Sequence, residues 1–599
     1  MINNKQINYE YNMKKAEEYV KEEKYLEAIK IYSRMFKVKN NTKELIELVE
    51  KYIKILSSKS KKEFNKSLDI ISIESSPLNN FPIYWRFYLD KQGKLTYNQE
   101  LFIFKFLTLT DKEYNPFICI KNNSFQGIGY ETCKILNDSN NTDMHLNIKA
   151  EIINSKLSRN IKVEKNKIIP IAATSKNQLV NFKFDNKEKS LILPPYEYQF
   201  INVDKNLEIN SKKNLVIGKP IKLIKDKKIV IDIFIDTLSY KFIKDRKFID
   251  IPNIYNFFKD GVIFDKNYSI GEYTRPVVSG IRTGLNTRNN GMFNDKVNTK
   301  LEEDMKTTAE YFKENGYYTC EFSSDVGQPH GNQFKGIDRV ILQHGNNYSV
   351  NNIISDAIEH IDAFKDYKNY VRISILDLHR AIDNNINRNI DTRINASLDD
   401  LFEEEEETNS VFKKGNKYRV NDYISNIRKV DRELSNLFKY INENYSNDQY
   451  VISLVSDHGA MMLNEDEFLL KDIHTNTALM LKGNNVPKAN IVDNEVTSVI
   501  DLYAILPFLA GIKIENNDAC LPKIFNGIGR EYAVSESLYP GQTYKACVRN
   551  LSSEIRLETE KETTYDGLVD FNSCNCKLYN EKMEQIDYNL DKYLKIINS

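Results

Sequence analysis

Tyr450-Val-Ile-Ser-Leu-Val-Ser456-Asp457-His458-Gly459 is an apolar run that ends in an acid, an imidazole and a glycine. A short, nearly continuous apolar run reads as a strand buried on both faces, of the kind found in parallel sheets covered by helices. An Asp and a His at the carboxyl end of such a strand stand where open α/β sheets bind ligands. Carboxylate and imidazole are also a common ligand pair for Zn²⁺ and Mn²⁺. An Asp-His-Gly turn equally fits a loop whose polar groups are satisfied locally, so its meaning depends on what lies upstream.

Two upstream stretches bear on it. Ile229-Val-Ile-Asp-Ile-Phe-Ile-Asp236-Thr-Leu-Ser239 is a second apolar, β-branched run ending in an acid. Asp232 and Asp236 share a face by period-2 counting. Asp236 is the better site residue, because only the strand end reaches the crevice. The second stretch is Asn267-Tyr-Ser-Ile-Gly-Glu-Tyr-Thr274-Arg275-Pro276-Val-Val-Ser-Gly-Ile-Arg282-Thr283-Gly284. Pro276 suits the first turn of a helix, where its missing N–H costs nothing. Thr274 then stands just before a helix N-terminus, whose free amides and positive dipole end favour a phosphate or sulfate. A hydroxyl there, on a metal, could attack a tetrahedral ester. A plain N-cap is the ordinary use of such a Thr.

The ordered set from Asp236 through Thr274 and Thr283-Gly284 to Asp457-His458 resembles the alkaline phosphatase superfamily, most closely its sulfatase-like branch. The resemblance spans about residues 225 to 530 and implies a mostly parallel α/β sheet sandwiched by helices. It also implies metal ligands at Asp236, Thr274, Asp457 and His458. Formylglycine sulfatases carry Cys or Ser in Cys-x-Pro-x-Arg; here Thr274 and Val278 fill those places. A Thr cannot become formylglycine. The match is therefore better to the Thr-nucleophile members, the phosphoethanolamine and phosphoglycerol transferases and phosphodiesterases. The transferases usually have Glu where Asp236 stands.

His379, ending Val371-Arg-Ile-Ser-Ile-Leu-Asp377-Leu-His379, and His474, in Asp472-Ile-His474, fall where relatives contact the phosphoryl or leaving group. Two-metal phosphodiesterases want an Asp with a His four residues on, but Asp377 is followed by His379 and residue 381 is Ala. That favours one divalent ion, Mn or Zn before Ca or Mg, and leaves a second ion open. Arg275 and His330 fall at substrate-contacting positions.

The implied function is metal-dependent hydrolysis or transfer of phosphate esters through Thr274, with phosphoethanolamine or phosphoglycerol transfer to a glycan as one form. The alternatives are a phosphodiesterase, phosphatase or sulfatase-like hydrolase, or a degenerate catalytic domain that serves as a binding protein.

The 599 residues balance 84 basic against 84 acidic side chains, which argues against a dedicated nucleic-acid binder. The seven scattered cysteines fit reduced thiols. The first ten residues lack the apolar core of a signal peptide. The apolar stretch from Val496 to Ile514 contains Asp501 and Pro507 and reads as a buried helix, not a membrane span. The expectation is a cytoplasmic enzyme with no transmembrane segment, unlike membrane-bound transferases.

Three regions are expected. Residues 1–78 read as helical, with Ala16, Tyr19, Tyr25, Ala28 and Tyr32 resembling one tetratricopeptide-type hairpin. Residues 79–223 read as a β-rich accessory domain, and 224–599 as the catalytic domain. Within the last, helices are expected at Asp250 to Lys259, Glu303 to Asn315 and Tyr418 to Glu443, with a strand at Tyr317 to Phe322. The acidic run Glu403 to Glu407 reads as a solvated loop. The strand-like chain after Tyr532 is expected to complete the edge of the catalytic domain.

Overall fold

The computed structural model describes most of residues 147–586, leaving out chiefly 294–300, 324–334, 345–348, 382–416 and 464–467, together with scattered pieces of the first 128 residues. His330 and the acidic run 403–407 lie outside the described residues. The chain forms two compact units, one of Met1–Met144, Ile152–Ile221 and Asn294–Thr299, the other of His145–Glu151, Lys222–Phe293 and Lys300–Ser599.

In the first unit, Asn4–Lys21 is helical, and Ala16, Ala28 and Tyr32 are buried. The rings of Tyr25 and Tyr32 stack on Tyr52, with centroids 5.7 and 5.9 Å away. Six strands between Ser155 and Gly218 build an antiparallel sheet. Its tightest hairpin pairs Phe184 with Lys187 across Asp185 and Asn186. Both have positive φ, +46° and +60°, which is why short polar residues occupy that turn.

The second unit is built on a twisted sheet. Its strands are β1 (Ile229–Ile235), β2 (Val262–Phe264), β3 (Tyr318–Ser323), β4 (Arg339–His344), β5 (Asn369–Ile375), β6 (Tyr450–Val455), β7 (Leu479–Gly483) and β8 (Asn490–Val492). In space they run β8-β2-β7-β6-β1-β5-β3-β4. The five strands from β6 to β4 are mutually parallel, and β7 turns antiparallel to β6. Parallel strands need crossovers, and the helices supply them. They are α1 (Thr274–Thr283), α2 (Thr308–Glu314), α3 (Val350–Ala363), α4 (Lys417–Asn444) and α5 (Leu502–Leu509).

Every residue of β1 is buried, as its unalternating sequence requires. Ile229, Ile231, Ile233 and Ile235 enter a core shared with α3 and α4. Val230 and Phe234 enter the opposite core, with α1, α2 and α5. By that parity Asp232 and Asp236 point to the α1 side. Asp232 is capped by Ser453 Oγ at 3.0 Å and faces Arg372 at 3.6 Å. Arg372 and Arg282 both face Glu321, at 3.8 and 3.3 Å, so Asp232 belongs to a buried ion network beneath α1.

The sequence places α2 too early. It begins at Thr308 because Thr307 and Glu310 form a reciprocal capping box. Among the described residues, the chain after Tyr532 adds no strand to the parallel sheet, though it stays in the same compact unit. It forms a separate antiparallel sheet of β9 (Ala533–Ser537), β10 (Thr543–Arg549), β11 (Ser553–Glu562), β12 (Cys574–Asn580) and β13 (Gln585–Ile586), in that order. Strands joined by short hairpins pair with each other before they can cross to a distant edge. Among the described residues, no helix is long and apolar enough to cross a membrane.

Candidate active site and metal centre

The site forms at the carboxyl ends of β1 and β6. These strands pair in register from Ile229 with Tyr450 to Phe234 with Val455, so Asp236 and Asp457 emerge side by side. Asp236, Asp457 and His458 are all buried, and one ligand atom from each lies within 4.8 Å of the others. Among the described residues this is the one such group. His458 Nε2 stands 3.2 Å from Asp457 Oδ2 and 3.9 Å from Asp236 Oδ1.

The backbone around the cluster is held in an uncommon conformation. Thr237, immediately after β1, has φ +61°, which a β-branched residue adopts only under constraint. Its N–H donates to Asp457 Oδ1 at 3.0 Å, and its carbonyl accepts from the Tyr423 hydroxyl at 2.6 Å. Asp457 Oδ1 also accepts from the His458 amide at 2.8 Å. One carboxylate oxygen of Asp457 is thus spent on the fold. Oδ2 is buried and accepts no hydrogen bond. A buried carboxylate oxygen left so is costly unless a cation takes it.

His458 Nδ1 sits 2.8 Å from the Gly459 carbonyl. A carbonyl can only accept, so Nδ1 carries the proton and Nε2 turns its lone pair to the cluster, the usual state of a ligating histidine. Gly459 is required by closeness: a Cβ there would lie 2.3 Å from the Ile473 carbonyl oxygen.

Thr274 comes from the α1 side. It is the first helical residue, with Tyr273 as the extended N-cap, rather than the residue before the helix. Pro276 lies in the first turn, as its chemistry requires. Gly284, at φ +70°, ends the helix in a left-handed cap on Gly280 O. Thr274 Oγ1 lies 3.4 Å from Asp236 Oδ2 and 3.2 Å from His458 Nε2. The structure therefore brings together Asp236, Thr274, Asp457 and His458. Arg275 is buried in the same turn.

His474 lies beside this group, its ring edge-on to His458 at 5.6 Å. Its Nδ1 faces the Leu469 carbonyl at 3.0 Å, and the Glu272 carbonyl is its other backbone partner. Burial and the neighbouring His458 push its pKa down to about 3, against the pull of both carbonyls. His379 is half-buried in a single turn after β5, at the same sheet edge, and is not among the clustered ligand atoms. Asp377 before it is bound by Lys429 at 2.9 Å and by the Val350 amide at 3.0 Å.

Two neighbours carry little sequence signal. Tyr423 arrives from the second turn of α4. Glu272 is fully buried, with its carboxyl pushed up to about 7 by burial despite a 2.7 Å hydrogen bond from Ser537.

The order of acid, Thr at a helix start and Asp-His-Gly is thus matched by a converging geometry, and it coincides with a family match: residues 228–512 fit the sulfatase family model. That segment is similar to the sulfatase family, the resemblance its residues carry. The sulfatase-family match covers a little under half of the 599 residues. It supports a hydrolase domain, and Asp236, Asp457 and His458 form a group that could hold a metal ion of the kind that family uses. Distant similarity to solved structures is also found. A 2-O GAG sulfatase is 18% identical over 62% of this chain and 90% of its own, with a TM-score of 0.46. A phosphonate monoester hydrolase from Silicibacter pomeroyi is 14% identical over 60% of this chain and 90% of its own, with a TM-score of 0.45. No curated protein matches the chain.

Proposed function

We propose that this protein hydrolyses or transfers phosphate esters with Thr274 as nucleophile. The observation that carries the reading is Thr274 Oγ1 at the first turn of α1, within 3.4 Å of Asp236 and 3.2 Å of His458. A divalent cation held by Asp236, Asp457, His458 and Thr274 would supply the positive charge that favours the alkoxide and offsets the anionic ester.

The chain's own groups divide the remaining work. The α1 amides and dipole favour the anion at its N-terminus. The Thr274 hydroxyl proton faces Asp236 Oδ2. The Oγ1–P bond forms as the P–O bond to the leaving group breaks, and the leaving oxygen takes a proton. We assign that transfer to His379, half-buried in the turn after β5. His474, neutral and packed on His458, keeps the ligand turn in place. Attack by water or an acceptor hydroxyl then releases Thr274, with a glycan as one acceptor that a family of surface-polymer transferases supports. A sulfatase-like hydrolase is the second reading, favoured by the family match; Thr274 excludes its formylglycine form.

The test is peptide mass spectrometry after exposing His379→Ala protein to bis(p-nitrophenyl) phosphate. A phosphoryl-type adduct on the Thr274 peptide, absent from Thr274→Ala, is expected. Turnover by Thr274→Ala at near wild-type rate would overturn the reading.

A further inference from the structure

The five strands β9 to β13 lie beyond the segment that matches the sulfatase family, yet they grip both halves of the site. On the Thr274 side, Ser535 Oγ donates to Ser269 O at 2.6 Å, the Glu536 amide to Ile270 O at 2.9 Å, and Ser537 Oγ to Glu272 Oε1 at 2.7 Å. β9 thereby fixes the strand-like lead into α1.

On the other side stands Arg549 at the end of β10, fully buried. Its Nε lies 2.9 Å from Glu554 Oε2 and 3.0 Å from Asp472 Oδ1. One terminal nitrogen donates to the Leu470 carbonyl, the other to Ser535 Oγ at 3.4 Å. The guanidinium covers the Tyr268 ring at 4.8 Å. A planar fork suits this many simultaneous acceptors, and a lysine does not.

Leu470 and Asp472 flank the residues that build His474. The Leu469 carbonyl meets its Nδ1, the Lys471 carbonyl accepts its amide at 2.9 Å, and the His474 carbonyl accepts the Gly459 amide at 2.6 Å. A continuous chain of bonds therefore runs from Arg549 through the 469–474 backbone to the Asp457-His458-Gly459 turn.

We infer that Arg549 is a positioning residue for the metal ligands, acting through His474 and the Gly459 amide, so that the C-terminal sheet belongs to the catalytic machinery. This rests on the reading of Asp236, Asp457 and His458 as an ion site. Outer-shell partners of this kind cost about 10–100-fold in metal affinity when removed.

The experiment is Mn²⁺ titration of chelator-stripped full-length protein, with the dissociation constant as readout and thermal melts of the metal-free forms alongside. Arg549→Lys should bind about 10–100-fold more weakly while melting near wild type. His474→Ala should weaken binding similarly. The double variant should be no weaker than the weaker single, because both act on one path. Lys561→Met, exposed and paired with Asp570 on the same sheet, should match wild type. If Arg549→Lys fails to fold, Asp472→Asn loosens the same clamp from its half-exposed side and should show the same weakening. Wild-type affinity in the clamp variants, with binding abolished in Asp457→Asn, would overturn the Arg549 role and leave the ion site standing. Fully additive losses would also overturn it. No Mn²⁺ binding by wild type would overturn the ion site itself and this inference with it.

Discussion

Asp457→Asn separates the two jobs that one carboxylate performs. Oδ1 accepts the Thr237 and His458 amides at 3.0 and 2.8 Å, and Oδ2 is buried without a hydrogen bond. An Asn keeps the first oxygen and replaces the second with an NH₂ that cannot ligate a cation. The metal-free variant loses no amide bond and removes one buried negative charge beside Asp236. Its stability should equal wild type or exceed it by about 1 kcal/mol. Asp457→Ala strands two amides instead and should cost about 1–3 kcal/mol. With ion at 100 times its dissociation constant, wild type gains about 2.7 kcal/mol, a rise of about 3 °C in melting temperature for a unit of this size. Asn should abolish that rise. The assay is differential scanning fluorimetry with and without Mn²⁺, checked by elemental analysis. A metal-dependent shift retained by the Asn variant would refute the ligand role. Equal destabilisation by Asn and Ala would refute the division between the oxygens.

Thr274→Ala should lower kcat on bis(p-nitrophenyl) phosphate by about 10³-fold or more, as loss of a nucleophile does; steady-state kinetics decide it. Aryl sulfates should not be turned over through a formylglycine at residue 274, and unmodified mass of the Thr274 peptide from purified protein checks this. His360 is buried against Tyr318 and Phe364, and burial, then the Arg339 charge, hold its pKa well below 6.5. The unfolded chain takes up a proton below pH 6.5 that the folded chain refuses. Stability is therefore fully present above 6.5 and falls as the pH drops beneath it, by up to about 1.4 kcal/mol per pH unit. Urea melts of wild type and His360→Gln between pH 5 and 7.5 should diverge with that slope, and parallel curves would contradict it.

The central sheet and the residues of the candidate ion site were legible in the sequence for one physical reason. Strands buried on both faces are mostly apolar, so their acids stand out, and of the two in β1 only Asp236, at the strand end, reaches the crevice that Asp232 does not. Asp236 and Asp457 are visible on that ground, and Thr274 by the Pro276 that marks a first helical turn. The start of α2 was not visible, because a periodic apolar pattern extends past the residue where the Thr307–Glu310 box sets the boundary. Nor was the separate sheet after Tyr532, since strand propensity says nothing of which edge a strand will join.

What the sequence hid most completely is the support of the site. Tyr423 sits in the second turn of α4, Glu272 in a loop and Arg549 on a strand 75 residues beyond His474. None has a motif, because each acts through main-chain atoms, which carry no side-chain identity. Thr237 holds φ +61° only because Asp457 and Tyr423 take its amide and carbonyl. Those two groups are 220 and 186 residues away in sequence. A ligand set can thus be guessed from strand ends, whereas the shell that fixes it is a property of the folded chain. The reason is energetic: a ligand must be a particular chemical type, but a hydrogen bond to a backbone carbonyl can be made by any donor the fold delivers. Substitutions in that shell should therefore alter ion affinity while the sulfatase-family signature in the sequence stays intact.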